Sequence, residues 1–200
     1  MVSLMPQIET TDTREAIIAC SQGLMARKGY TAVGLSEILA AVHVPKGSFY
    51  YHFASKDALG EAMLKSYFTD YLADFDEILS RTDQTWSARI LDYFASWIES
   101  QSSFDCSGKC LAVKLGAEVA DLSESMRVAL KEGVAAIIER IATAIAGGID
   151  EKSLTVAGDP QLTAASLYDL WLGASVTSKL NRTTDSMDNA LVLTRNILGI

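Results

Sequence analysis

The chain has little cysteine, little proline and little histidine: three, three and two residues out of 200. Three cysteines, an odd number, are too few to staple a small secreted domain with disulfides, and point to a reducing cytosol. Three prolines leave room for long unbroken helices. Both histidines, His43 and His52, fall in one short stretch, so the rest of the chain has neither a histidine base for catalysis nor a histidine-based metal site. No apolar run approaches the ~20 residues of a membrane span. The chain does not open with a basic stretch, an apolar run and a small-residue cleavage site, so no secretory signal is expected. Strand-like alternation is also missing beyond a few residues at a time. What remains is a globular, all-α chain, 49% hydrophobic and 21% charged, long enough for one large domain or two small ones.

Acidic charge dominates, with a net −8, but it is unevenly spread. Residues 1–65 hold six bases against six acids, so the whole excess lies in residues 66–200. Within residues 27–56 four bases (Arg27, Lys28, Lys46, Lys56) face Glu37 alone, and both histidines lie there too. A basic island in an acidic chain marks a surface for a polyanion.

Helical periodicity organises the chain. Residues 1–11 lack a sustained apolar period and read as an arm without fixed structure. A first helix is expected from Asp12 or Thr13 to Lys28-Gly29, with Ile17, Ile18, Leu24 and Met25 inward. Short helices follow over about 35–42 and 46–51, then a long one from Ser55 to about 79. Further helices are expected at about 85–101, 109–121, 124–146, 161–181 and 185–198, with Gly147-Gly148 and Gly158-Asp159-Pro160 as breaks.

Two short helices joined by a tight turn behind a longer supporting helix make a helix-turn-helix. The second enters a major groove about 12 Å wide, so it must be slender and carry hydrogen-bonding side chains on its outer face. In Lys46-Gly47-Ser48-Phe49-Tyr50-Tyr51-His52-Phe53, the two phenylalanines, four apart, turn to the core. Lys46, Ser48, Tyr50, Tyr51 and His52 then face outward. Lys56 stands at the start of the next helix, where the helix dipole favours a phosphate. His52 has neither a second histidine nor a cysteine at ligand spacing, so no metal site is expected.

The run Gly29-Tyr30, Leu35-Ser36-Glu37-Ile38, Val44-Pro45-Lys46-Gly47-Ser48-Phe49-Tyr50-Tyr51-His52-Phe53 and Ser55-Lys56-Asp57-Ala58-Leu59 resembles the TetR family of bacterial transcriptional repressors. The resemblance implies a DNA-binding domain over residues 10–56, running to about 70 with the start of the connecting helix, and a regulatory and dimerisation domain over 57–200. It implies Ser36, Lys46, Gly47, Ser48, Tyr50, Tyr51, His52 and Lys56 as DNA-contacting positions. Two positions depart from the family pattern. His43 stands at the turn position usually held by glycine and must adopt a left-handed backbone, which histidine does better than most residues. Gly34 stands where a hydroxyl residue often opens the second helix.

Further on, Cys106 to Arg127 and Leu167 to Ala174, with Lys179 shortly after, resemble the branch of the family that represses N-ethylmaleimide reductase. That resemblance implies sensing of electrophiles or oxidants through cysteine, with Cys110 the reactive position and Lys179 a partner for its thiolate. The residues agree in part. Cys110 follows Gly108-Lys109 at an expected helix N-terminus, with Lys114 one turn on, and both features lower a thiol pKa. Cys106 can resolve an oxidised Cys110 if the loop brings their Cα atoms within ~7 Å. Cys20, inside the first helix, reads as a small buried apolar residue.

Phe94, Trp97, Phe104, Tyr67, Tyr71, Tyr168 and Trp171 suit either a core or an apolar ligand pocket. Val134, Ile137, Ile138 and Ile141, with Leu167, Leu170 and Ala174, suit a four-helix interface between two copies. A homodimer places two recognition helices about one duplex turn apart and predicts a palindromic operator in double-stranded DNA. The expected effector is a small electrophile, an oxidant or an apolar ligand. No cofactor, metal or membrane partner is expected, and the chain reads as a cytoplasmic regulator. A thiol-dependent enzyme is the remote alternative, lacking a base near the thiol.

Overall fold

The computed structural model describes residues 10–102 and 111–200. Among these residues the regular structure is helical throughout: α1 Thr10–Lys28, α2 Leu35–Ala41, α3 Lys46–His52, α4 Lys56–Leu79, α5 Trp86–Ser102, α6 Leu111–Ala120, α7 Glu124–Asp150, α8 Pro160–Asn181 and α9 Asp185–Leu198. The expected N-terminal arm (residues 1–9 of it), Phe104, Cys106 and Cys110 lie outside the described residues. No helix among the described residues is long and apolar enough to cross a membrane.

Local chemistry accounts for several helix ends. Arg27 and Lys28 fill the last turn of α1, and Gly29 stops it at φ +90°. Ser55 caps α4, its hydroxyl accepting from the Ala58 N–H at 3.1 Å. Asp159 caps α8 by accepting from Leu162 N–H at 2.8 Å, with Pro160 in the first helical position. Two boundaries differ from expectation. Helix α1 already begins at Thr10, so Asp12 and Thr13 lie inside it. Helix α7 runs on to Asp150, straight through Gly147-Gly148. These glycines serve close packing rather than termination. A Cβ on Gly147 would lie 2.6 Å from the Trp86 ring, and one on Gly148 would lie 2.5 Å from the Leu154 side chain.

Helix α7 forms the axis of the C-terminal part and packs against α4, α5, α6 and α8; α9 lies on α8, and α1 packs on α4. The Arg140 guanidinium of α7 grips Asp76 of α4 with two hydrogen bonds, at 2.7 and 2.8 Å. That contact holds the Asp76 carboxyl below its ordinary range despite partial burial. Of the aromatics that suit either core or pocket, the six within the described residues pack into or against the core. Tyr67, Phe94, Trp97, Tyr168 and Trp171 are buried and Tyr71 is half-buried. Phe94 stacks on Trp171 at 4.7 Å between centroids, and Phe75 stacks on Tyr93 at 3.7 Å. Each such ring removed from water contributes roughly 1.5–3 kcal/mol.

The interface expectation needs correction for the same reason. Ile137, Ile141, Leu167 and Ala174 are buried within the chain's own core, and Val134, Ile138 and Leu170 pack against it. Their periodicity is that of helices meeting inside one copy. The exposed apolar side chains of the last two helices lie on other faces: Leu162, Val176 and Leu180 on α8, and Val192 and Leu193 on α9.

Candidate nucleic-acid interface

Helix α2 follows Gly34, its N-cap, which offers no side-chain cap. Ser36 is exposed in the first turn. The turn between α2 and α3 closes with Val44 N–H donating to the Leu39 carbonyl at 3.0 Å. His43 takes φ +55°, the left-handed conformation expected of it. Pro45 precedes α3 and presets its entry, leaving the first turn otherwise uncapped.

Helix α3 has two faces. Phe49 is fully buried and Phe53, its C-cap, nearly so, their rings 5.5 Å apart. On the outside, Tyr50 and Tyr51 are 53% and 76% exposed. Lys46 and Gly47 are exposed too, with the Lys46 ammonium 5.9 Å from the Tyr50 ring centroid. Ser48 and His52 are half-buried. His52 packs edge-on to Tyr51 and lines a groove between α1 and α4 with Arg14 and Glu61. The one acid of the basic stretch, Glu37, is paired with Lys28, which leaves the α3 surface without a competing carboxylate of its own.

Lys56 differs from expectation. Its ammonium turns inward, donating to the Tyr30 carbonyl at 2.7 Å and sitting 4.1 Å from the Tyr30 ring centroid. Burial pulls its pKa down, and Glu118 and Asp57 partly offset this. It therefore fastens the start of α4 to the end of α1. The Tyr30 hydroxyl completes the tie by donating to Asp57 at 2.6 Å. Burial first, and then this carboxylate, push the phenol pKa up.

A residue the sequence reading missed joins the same knot. The Glu118 carboxylate, on α6, accepts from the Tyr30 N–H at 3.1 Å and the Thr31 N–H at 2.7 Å. Burial raises its pKa, but these hydrogen bonds and the nearby Lys114 charge outweigh burial and hold the group ionised below its ordinary range. Its partners are backbone amides 87 and 88 positions away, so no pattern of side chains in the sequence marks the contact.

The expected effector residues are only partly described. Cys106 and Cys110 fall outside the described residues, which resume with α6 at Leu111. Lys114 is half-buried on α6, and Lys179 is exposed in the last turn of α8. Cys20 packs half-buried against the core, where burial pushes its thiol pKa up, as a packing role requires. Among the described residues no cluster of three or more His, Cys, Asp or Glu is placed to hold a metal ion.

Comparison with known proteins agrees with this arrangement. Residues 17–63 match the model of the tetR family of bacterial regulatory proteins, and residues 87–193 match a tetracyclin repressor-like C-terminal domain. The chain is 39% identical to the transcriptional repressor NemR of Escherichia coli K12 over 94% of each protein. It is 29% identical to the repressor DhaR of Mycobacterium sp. GP1, over 92% of this chain and 90% of that one. Its fold superposes on the crystal structure of reduced E. coli NemR with a TM-score of 0.89, at 40% identity over 94% of this chain and 97% of the other. The helix-turn-helix with its exposed α3, the helical C-terminal part and these similarities agree: the chain belongs to the TetR family and is a transcriptional repressor similar to NemR.

Proposed function

We propose that this repressor acts as a cytoplasmic homodimer, holds a palindromic operator through α3, and releases it when an electrophile or oxidant modifies Cys110. Lys46, Gly47, Tyr50 and Tyr51 form the DNA-facing surface of α3, with Ser36, Ser48 and His52 at its margins. Gly47 supports this reading: its φ is not positive and nothing lies within 4 Å of where a Cβ would stand, so the fold itself does not demand glycine there. Close approach of a duplex backbone does.

The observation that carries the sensing half is the full-length similarity to NemR, a protein crystallised in a form named as reduced. Cys110 stands in the sequence one residue before Leu111, the first residue of α6, with Lys114 one turn on, a pattern that favours a thiolate. The thiolate adds to an activated double bond, forming a carbon–sulfur bond while the displaced electron pair takes a proton from water. An oxidant instead yields a sulfenic acid, which Cys106 or the Lys179 amine can capture.

The test compares duplex binding by reduced and N-ethylmaleimide-treated protein, using a duplex selected from random sequence by the reduced form. Wild-type protein is expected to lose affinity on alkylation by about tenfold or more, within the usual range of allosteric coupling. Cys110→Ser is expected to bind normally and ignore the reagent. Equal loss in wild type and Cys110→Ser would remove Cys110 from the mechanism.

A second reading, a reversible apolar effector, is favoured by a cavity of about 440 Å³ between α6, α7 and α8, lined by Ala112, Gly116, Leu130, Val134, Ile138 and Leu172. Its walls are largely aliphatic, completed by Tyr168, one of the aromatics considered in the sequence, and by the charged Arg127, Lys131 and Asp169. An effector bound there would act equally well on Cys110→Ser.

A further inference from the structure

Among the described residues, α6 meets the DNA-binding helices through a polar contact. Its Glu118 carboxylate receives two N–H donors from consecutive residues, Tyr30 and Thr31, in the turn between α1 and α2. Two peptide donors on one carboxylate fix both the position and the tilt of that turn, and charge-assisted bonds of this kind are about twice as strong as neutral ones. The turn is shaped around the carboxylate. Gly29 sits at φ +90°, and a Cβ there would lie 2.9 Å from Glu118 Oε2. The same turn is held from the other side by Lys56 on the Tyr30 carbonyl and Asp57 on the Tyr30 hydroxyl. Tyr30 thus gives its N–H to α6 and its carbonyl and phenol to the first turn of α4. Helix α2, which leads into the recognition helix, begins four residues after Thr31.

We propose that Glu118 is the positioning residue through which α6 sets the placement of the helix-turn-helix: a carboxylate clamp on the Tyr30–Thr31 peptide, engaged or released as α6 moves. The proposal rests on the reading that the C-terminal helices govern DNA affinity. It adds the atom through which they do so. A displacement of α6 by about one hydrogen-bond length breaks both contacts together, because both converge on one side chain. The turn is then held by α4 alone.

The clamp is reciprocal, since any coupling that lets α6 alter DNA affinity lets DNA alter α6 by the same factor. Amide hydrogen exchange of the full-length protein, free and bound to a selected duplex, reads this directly. In wild type, DNA is expected to change exchange at Tyr30, Thr31 and across residues 111–120 of α6. In Glu118→Gln the amide group offers one acceptor and turns an N–H₂ toward the second donor. Tyr30 and Thr31 are therefore expected to exchange faster in the free protein, by about 2- to 30-fold, the range reported for residues that carry coupling. Helix α6 is expected to stop responding to DNA while the duplex still binds. An α6 response to DNA in Glu118→Gln equal to that of wild type overturns the proposal, as does a wild-type α6 that ignores DNA. If Glu118→Gln does not fold, Glu118→Asp keeps the charge, shortens the reach by one methylene and is measured in the same way. No electrophile enters the experiment, so an inert Cys110 would leave its result unchanged.

Discussion

Ser175 Oγ joins α5 to α8 by accepting from Trp97 Nε1 and from Gln101 Nε2, each at 3.0 Å, while giving its own proton to the Trp171 carbonyl. With that proton committed, Ser175 can only accept, so the Gln101 amide must present its nitrogen to it. Gln101 Oε1 is left facing away, and it has no hydrogen-bond partner among the described residues although the residue is 4% exposed. One turn along α8, Ser178 is 1% exposed and its hydroxyl likewise has no partner among the described residues. Other hydroxyls of this helix, on Thr163, Ser166, Ser175 and Thr177, return to the carbonyl four residues back. A buried hydroxyl with no partner costs about 1–3 kcal/mol of desolvation. Ser178→Ala is therefore expected to stabilise the protein by about 1 kcal/mol, raising Tm by about 2–4 °C. Ser175→Ala is expected to lower stability by about 1–3 kcal/mol, because it leaves two buried donors unanswered. Thermal melts at one fixed protein concentration check both; a Ser178→Ala variant that melts lower than wild type refutes the assignment of its hydroxyl as unpartnered.

At the scale of elements, α3 separates stability from recognition by face. Phe49→Ala removes a fully buried ring and is expected to lose about 3–5 kcal/mol, unfolding the N-terminal helices. Tyr51→Ala removes an outward ring and is expected to leave the melt within about 0.5 kcal/mol while weakening duplex binding by about 1–3 kcal/mol. Parallel melts and mobility shifts separate the two, and a Tyr51→Ala variant with wild-type affinity would take that side chain out of the interface. This division was legible in the sequence because a short amphipathic helix shows both faces in its spacing: Phe49 and Phe53 four apart, polar residues between. The helix order was legible for the same reason. The errors share a different cause. Gly147-Gly148 read as a break because a glycine kept for contact with Trp86 and Leu154 looks identical, in sequence, to one kept for its backbone freedom. The hold of Lys56 on Tyr30 went unread because only the fold brings the Tyr30 carbonyl within its reach. Glu118 was missed because its partners are peptide groups, which every residue has.

Charge and exposed apolar surface together set the behaviour of the whole molecule. The net −8 resides in residues 66–200, so an approaching duplex is repelled by the C-terminal part and meets a local excess of base only around α2 and α3. One such surface is a weak hold on DNA; two, joined rigidly, make one binding event assist the next. In the proposed homodimer the joining surface falls to α8 and α9, which carry exposed apolar side chains. Leu162, Ser166, Asp169, Gly173, Val176 and Leu180 are all exposed and recur at steps of three and four along α8, the spacing of a helix seam. Gly173, with nothing within 4 Å of where a Cβ would stand, allows another helix to come close at the centre of that seam. Val192 and Leu193 extend the apolar surface onto α9. A second copy packed through the same surface by a two-fold axis gives a four-helix contact and buries these exposed apolar side chains. Val176→Glu places a carboxylate in the middle of this seam, opposed across the axis by its own copy. Sedimentation is expected to shift from dimer to monomer with helicity retained, and affinity for a two-half-site duplex to fall by about 100-fold or more, while a single half-site is bound as weakly as before. A Val176→Glu protein that sediments as a dimer would move the interface off α8, and the spacing of the recognition helices would then have to be set by another face of the molecule.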